Sequence, residues 1–121
     1  MLGLREAHGS HILMIDDDDV FRPGVFAVVR AACEAQPTRT HMFRINSRVG
    51  LVWRDTVVRC GNVGTGMLVV PNDPARFGVW GSRYEGDFDF IASTLAYYPE
   101  GPVWHTDVLI EARKTFAEVW M

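Results

Sequence analysis

The stretch HILMIDDDDVFRPG, His11 to Gly24, sets four consecutive aspartates directly behind a short apolar run. Adjacent carboxylates repel one another, and gathering them costs free energy unless a cation neutralises them. Hard oxygen ligands on a loop suit Mg²⁺ or Mn²⁺, often shared with substrate phosphates. The position favours such a role, because open α/β sheets place ligands outside the carboxyl ends of their strands. The plainer reading of any charge run is a solvated turn. A calcium loop is disfavoured, since the spaced acidic positions and distal Glu of an EF-hand are missing.

A second acidic group lies in YEGDFDFI, with Glu85, Asp87 and Asp89 close together. Asp87 sits where a helix cap belongs, and acids favour a helix start. A carboxylate held at the mouth of a helix is also oriented as a general base must be. His105, in PVWHTD, is a candidate ligand, although a lone His beside a Trp is more often a packing or hydrogen-bonding residue. His8, His11 and His41 carry less signal. GNVGTG, Gly61 to Gly66, is not a dinucleotide fingerprint: its spacing is GxxGxG and a strand, not a helix, follows. It reads as a flexible loop whose backbone can approach a ligand. Trp53, Trp80 and Trp104 are candidate platforms for a sugar ring, with core packing the default.

The elements that must position these residues are short and mixed. LGLREAHG resembles the last turns of a helix closed by Gly9. HILMI reads as a fully buried strand, expected in the middle of a sheet. A helix over Gly24 to Ala35 follows Pro23, turns Val25, Phe26, Val28, Val29, Ala32 and Cys33 to a core, and is stopped by Pro37. THMFRIN, VGLVWRD and TVVRC read as strands. Met67 to Val70 forms another, ended by Pro71. NDPARFG gives a short turn capped by Asp73. EGDFDFIASTLAYYPEG gives a helix with Phe90, Ile91, Leu95 and Tyr98 on its apolar face, and PVWHTDVLIEAR a final strand. The class is α/β or α+β, in one domain spanning 1–121.

Bulk properties narrow the partners. The chain of 121 residues is 48% hydrophobic and 22% charged, enough for a core. A net charge of −3, with Lys114 the one lysine, argues against a nucleic-acid-binding face. No apolar run approaches a membrane span. Cys33 and Cys60 lack CxxC spacing and read as reduced thiols of a cytoplasmic protein.

In order, these segments resemble a glycosyltransferase of the GT-A fold, most like the large family 2. MIDDDDVFRPG resembles its strand ending in a DxD-type motif, with Asp16-x-Asp18-Asp19 and then Pro23. GTGMLVVPN resembles the strand leading to the acceptor side, and YEGDFDFI the acidic segment that supplies the base in inverting members. The resemblance runs from about Leu4 to Arg113 and implies a partial GT-A fold, a mixed sheet flanked by helices. It implies Mn²⁺ or Mg²⁺, a nucleotide-diphosphate sugar donor, and a saccharide or other hydroxyl acceptor. Asp18 would bind the metal, and Asp16 the metal or the nucleotide ribose. Asp17 would share either role, while Asp19 caps the next helix. Asp87 or Asp89 would be the base, since Gly86 replaces the first acid of the family's usual Glu-Asp pair. His105 would be a third metal ligand. The family's nucleotide-binding βαβ region has no counterpart here. That implies a truncated or fragmentary chain, or a partner chain carrying the other half, and weak catalysis by this piece alone.

Two other readings compete. A haloacid dehalogenase-like phosphatase also begins with a strand and DxDx(T/V), formally matched by IDDDDV. Its chemistry needs a lysine between the acidic motifs, and Lys114 follows both. A non-catalytic metal- or sugar-binding remnant would keep the aspartates without turnover.

Overall fold

The computed structural model describes residues 9–15, 19–47, 50–82 and 86–111. The strands are β1 His11–Leu13, β2 Val20–Phe21, β3 His41–Ser47, β4 Gly50–Val52, β5 Leu68–Pro71 and β6 Val103–Glu111. The helices are α1 Val25–Ala35 and α2 Gly86–Leu95. Single 3-10 turns occupy Thr65–Met67 and Pro74–Arg76. The strands make one sheet in the order β1-β5-β3-β6-β2, and β4 pairs with β3 beside that path. The β3–β6 pair is parallel and the other pairs are antiparallel. Being antiparallel to β5, which is antiparallel to β3, β1 runs in the same direction as β3 and β6.

Alternation along β1, β3 and β5 divides the core into two layers, and irregular β6 adds both Leu109 and Ile110 to one of them. Ile12, Met42, Leu68 and Val70 pack with Ile91 of α2 on one face. Phe43, Val69, Leu109 and Ile110 pack with Val25 and Cys33 of α1 on the other. The result is a mixed α/β fold with a helix against each face of a curled sheet. Its β3–β6 pairing is interrupted by register shifts between Met42 and Ile45, and such irregularities bend and twist a strand pair.

Several sequence expectations need correction. β1 lies at the edge of the sheet, not in its middle: among the described residues it pairs with β5 alone. In α1, Val25 and Cys33 are buried, but Phe26 is 63% exposed and Val28 is exposed too. The helix thus covers the sheet with a narrower stripe than its apolar residues suggest. TVVRC forms no strand and contributes only an isolated bridge, Cys60 with Val63. Buried Asn62 organises that segment instead. Its Oδ1 accepts from Arg54 N–H at 2.8 Å, and its Nδ2 donates to the carbonyls of Asp55 at 2.8 Å and Val57 at 2.7 Å. A side-chain amide that satisfies these backbone groups offers them an alternative to a sheet ladder. The Asp73 turn forms as expected, with Ala75 N–H donating to Asp73 Oδ1 at 3.1 Å. The expected helix end at the N-terminus lies outside the described residues.

Candidate active site

Three features meet at the carboxyl end of β1. The first is β1 itself, whose continuation Met14 and Ile15 leads into the aspartates. The second is the turn Thr65–Met67, which enters β5. A Cβ on Gly66 would stand 3.2 Å from the Ile110 side chain and 3.9 Å from the Met14 carbonyl oxygen. This turn therefore fits closely between β1 and β6, with little room for a larger residue. The third is the first turn of α2. Trp80 Nε1–H donates to Asp87 Oδ1 at 2.9 Å, and Thr65 Oγ1–H donates to Asp87 Oδ2 at 3.5 Å. Both carboxylate oxygens of exposed Asp87 are thus tied, one closely and one at the limit of a hydrogen bond.

The route of the chain adds to this. β1, β3 and β6 run in one direction, and β2 begins beside the end of β6, with Val20 opposite Glu111. The connection from β1 to β2 therefore starts and finishes at the carboxyl ends of parallel strands, where α/β sheets accommodate ligands. Asp16, Asp17 and Asp18, the residues of that connection expected to bind metal and nucleotide, lie outside the described residues, as does Glu85. Asp19 is half-buried. Among the described residues no group of three His, Cys, Asp or Glu side chains is placed to hold a metal ion.

The two candidate bases differ in setting. Asp87 is exposed, and Trp80 fixes its carboxylate from the side. Trp80 is held in turn by stacking on buried Phe90, with ring centroids 3.9 Å apart. Asp89 is half-buried, and its side chain lies against Gly81, where a Cβ would collide with Oδ2. Both result from the close fit of residues 78–82 over α2. Gly86 has no room for a Cβ because the Gly81 carbonyl oxygen occupies its place. Of the two acids, Asp87 has the more accessible carboxylate.

His105 is placed elsewhere. It sits near the start of β6 on the α1 face, stacked on Phe43 with centroids 4.4 Å apart. Asp87 belongs to α2 on the other face. His105 Nε2 is 2.9 Å from Nδ1 of fully buried His41, whose Nε2 is 3.1 Å from the Gln36 carbonyl. A carbonyl can only accept, so His41 carries its proton on Nε2. In the neutral pair His41 Nδ1 then accepts from His105 Nε2–H. Burial lowers the pKa of both rings below the ordinary value, and for His41 the nearby His105, His11 and Arg39 charges add to the effect. His105 is thus brought together with His41 and not with Asp87, and its Nε2 is engaged.

The tryptophans also separate. Trp53 is 5% exposed and meets Trp104 edge-on, so it is a core residue and no open platform. Trp80, a candidate sugar platform by sequence, stacks on Phe90 and bonds Asp87 instead. For the contacts of Trp80 and Thr65 with Asp87 the sequence holds no signal, because the chain separation is bridged only by the fold. Arg44 had one: alternation along HMFRIN puts it on the same face as Met42, an unusual place for a cation.

Among the described residues no helix is long and apolar enough to cross a membrane. Cys33 is buried, Cys60 is exposed, and both are free thiols; burial raises the Cys33 pKa. No protein-family model, curated protein or solved structure matches this chain.

Proposed function

We propose that this chain is the metal- and acceptor-handling portion of a GT-A-type glycosyltransferase. It acts on a nucleotide-diphosphate sugar and a hydroxyl acceptor, with Mn²⁺ or Mg²⁺ as cofactor. The observation that carries the reading is the tethering of Asp87 by Trp80 and Thr65, beside the strand end that leads into the aspartate run. A base and an acidic loop at one end of a sheet are what this chemistry requires. Among the described residues β1 is paired on one side alone, which is compatible with further strands of such a sheet.

In this reading Asp18 and Asp16 hold the divalent ion. When bound, the ion neutralises charge on the departing diphosphate. Asp87 takes the proton from the acceptor hydroxyl as that oxygen attacks the anomeric carbon. Trp80 keeps the accepting oxygen in one orientation, so that approach geometry is set before the reaction.

The test is calorimetric titration of Mn²⁺, followed by release of nucleoside diphosphate from a panel of donor sugars. Saturable Mn²⁺ binding, lost in Asp18→Asn, together with metal-dependent donor turnover is the expected result. Mn²⁺ binding without turnover of any donor would favour a binding remnant. A covalent phosphate on Asp16 would support the phosphatase reading.

A further inference from the structure

Two buried donors lie in one stacked pair with no acceptor for either among the described residues. The Arg44 guanidinium carbon stands 4.3 Å from the ring centroid of Trp53. Arg44 Nε and Trp53 Nε1 are both buried without a hydrogen-bond partner. A buried N–H left unsatisfied costs about 1–3 kcal/mol, so two on adjacent side chains call for an explanation. Arg22, Arg39, Arg59 and Arg76 each have a carboxylate within 4.0 Å. Arg44, half-buried on β3, has none among the described residues.

The location gives the pair meaning. His41 of β3 and Leu13, the last residue of β1, both stand opposite Val69 of β5. Arg44 is three residues further along β3, so it lies past the carboxyl end of β1. It shares a face with Met42, and hence with α2, whose first turn holds Asp87. The turn Thr65–Met67, which donates to Asp87, packs against both β3 and α2.

We propose that Arg44, seated on Trp53, forms an oxyanion-binding site that takes a phosphate or carboxylate group of a ligand. A guanidinium offers a planar fork of donors matched to an oxyanion, and the indole face holds that fork in a fixed plane with little hydration. The oxyanion satisfies Arg44 Nε–H directly, and the indole N–H of Trp53 adds a third donor to the pair. The site stands on these contacts alone and does not depend on the transferase reading.

The test follows the Arg44 Nε–H and Trp53 indole N–H resonances by ¹H–¹⁵N NMR in metal-free buffer. The full chain is titrated with inorganic pyrophosphate and, separately, with malonate. Both resonances are expected to move and saturate together, and Arg44→Gln to weaken the anion at least tenfold. Arg44→Lys falls between, because an ammonium cannot fork. Response to pyrophosphate alone identifies a phosphate group as the occupant; response to malonate alone identifies a carboxylate. If neither anion moves the two resonances of the wild-type chain, or if folded Arg44→Gln binds equally well, the inference is wrong.

Discussion

Gly78→Ala is predicted to damage both the fold and the candidate site. Gly78 lies where residues 78–82 cross α2. A Cβ there would overlap Ser93 Oγ and stand 2.5 Å from the Thr94 backbone nitrogen and 2.7 Å from the Ser93 carbonyl carbon. Two of these atoms are helix backbone and cannot rotate away, so the segment must lift. Lifting it breaks the bonds from Gly78 N–H to Thr94 Oγ1 and from Val79 N–H to Ser93 Oγ, both 2.9 Å. Overpacking costs about 1–3 kcal/mol and each lost bond about 1 kcal/mol, for a total of roughly 3–5 kcal/mol. That is a large part of a typical domain's ~5–15 kcal/mol. With a urea m-value of ~1–3 kcal/mol/M the midpoint should fall by at least about 1 M. Equilibrium urea unfolding followed by circular dichroism measures this, with near-ultraviolet bands reporting the packing of the aromatic residues. Adding Ser93→Ala removes the nearest obstacle but leaves Thr94 N, so the double variant should recover only part of the loss. A Gly78→Ala midpoint within error of wild type would refute the claim that this crossing is tightly packed.

The remaining predictions concern the two other polar clusters. The folded-state pKa values of His41 and His105 lie below the ordinary value of about 6.5. Above that value both rings are neutral, folded or unfolded, and the pair adds no pH dependence. Below it the unfolded chain takes up protons first, so stability present above pH ~6.5 is lost as pH falls toward the folded values, by at most about 1.4 kcal/mol per pH unit for each proton. Urea midpoints from pH 7.5 to 5 should show this decline, and His105→Gln should flatten it; an unchanged slope would contradict the neutral-pair assignment. Asn62→Ala should destabilise the chain by about 2–4 kcal/mol, because it strands the buried backbone groups that the amide now satisfies. Thermal unfolding measures this, and a fall in melting temperature of under two or three degrees would contradict it.

Local chemistry in the sequence foretold much of this fold. The β-branched and aromatic residues of THMFRIN and the apolar run before Pro71 foretold β3 and β5 to within a residue at each end, and the Asp73-Pro74 pair foretold its turn. What failed depended on distant partners. TVVRC has strand composition, but Asn62 captures its backbone. HILMI is apolar enough for a central strand, yet it has one neighbour among the described residues. Phe26 and Val28 lie on the helix side that the narrow curled sheet does not reach. The candidate site divides the same way. Asp87 at a helix mouth was legible, although it lies inside the first turn behind Gly86 and not at the cap, whereas its hold by Trp80 was not. His105 drew attention as a lone His beside Trp104, but its partner His41 stands 64 positions away in sequence, and only the parallel pairing of β3 with β6 brings the rings together.

The central claim is that Asp87 serves as the base of a metal-dependent sugar transfer. It is tested most directly by comparing wild type with Asp87→Asn for Mn²⁺-dependent transfer from a nucleotide-diphosphate sugar to a hydroxyl acceptor, at saturating metal. The substitution keeps the Trp80 hydrogen bond within reach of an amide oxygen but removes the proton acceptor. Mn²⁺ affinity should be unchanged, while transfer should fall by about 10²–10⁴-fold. Transfer by Asp87→Asn at the wild-type rate would contradict the account.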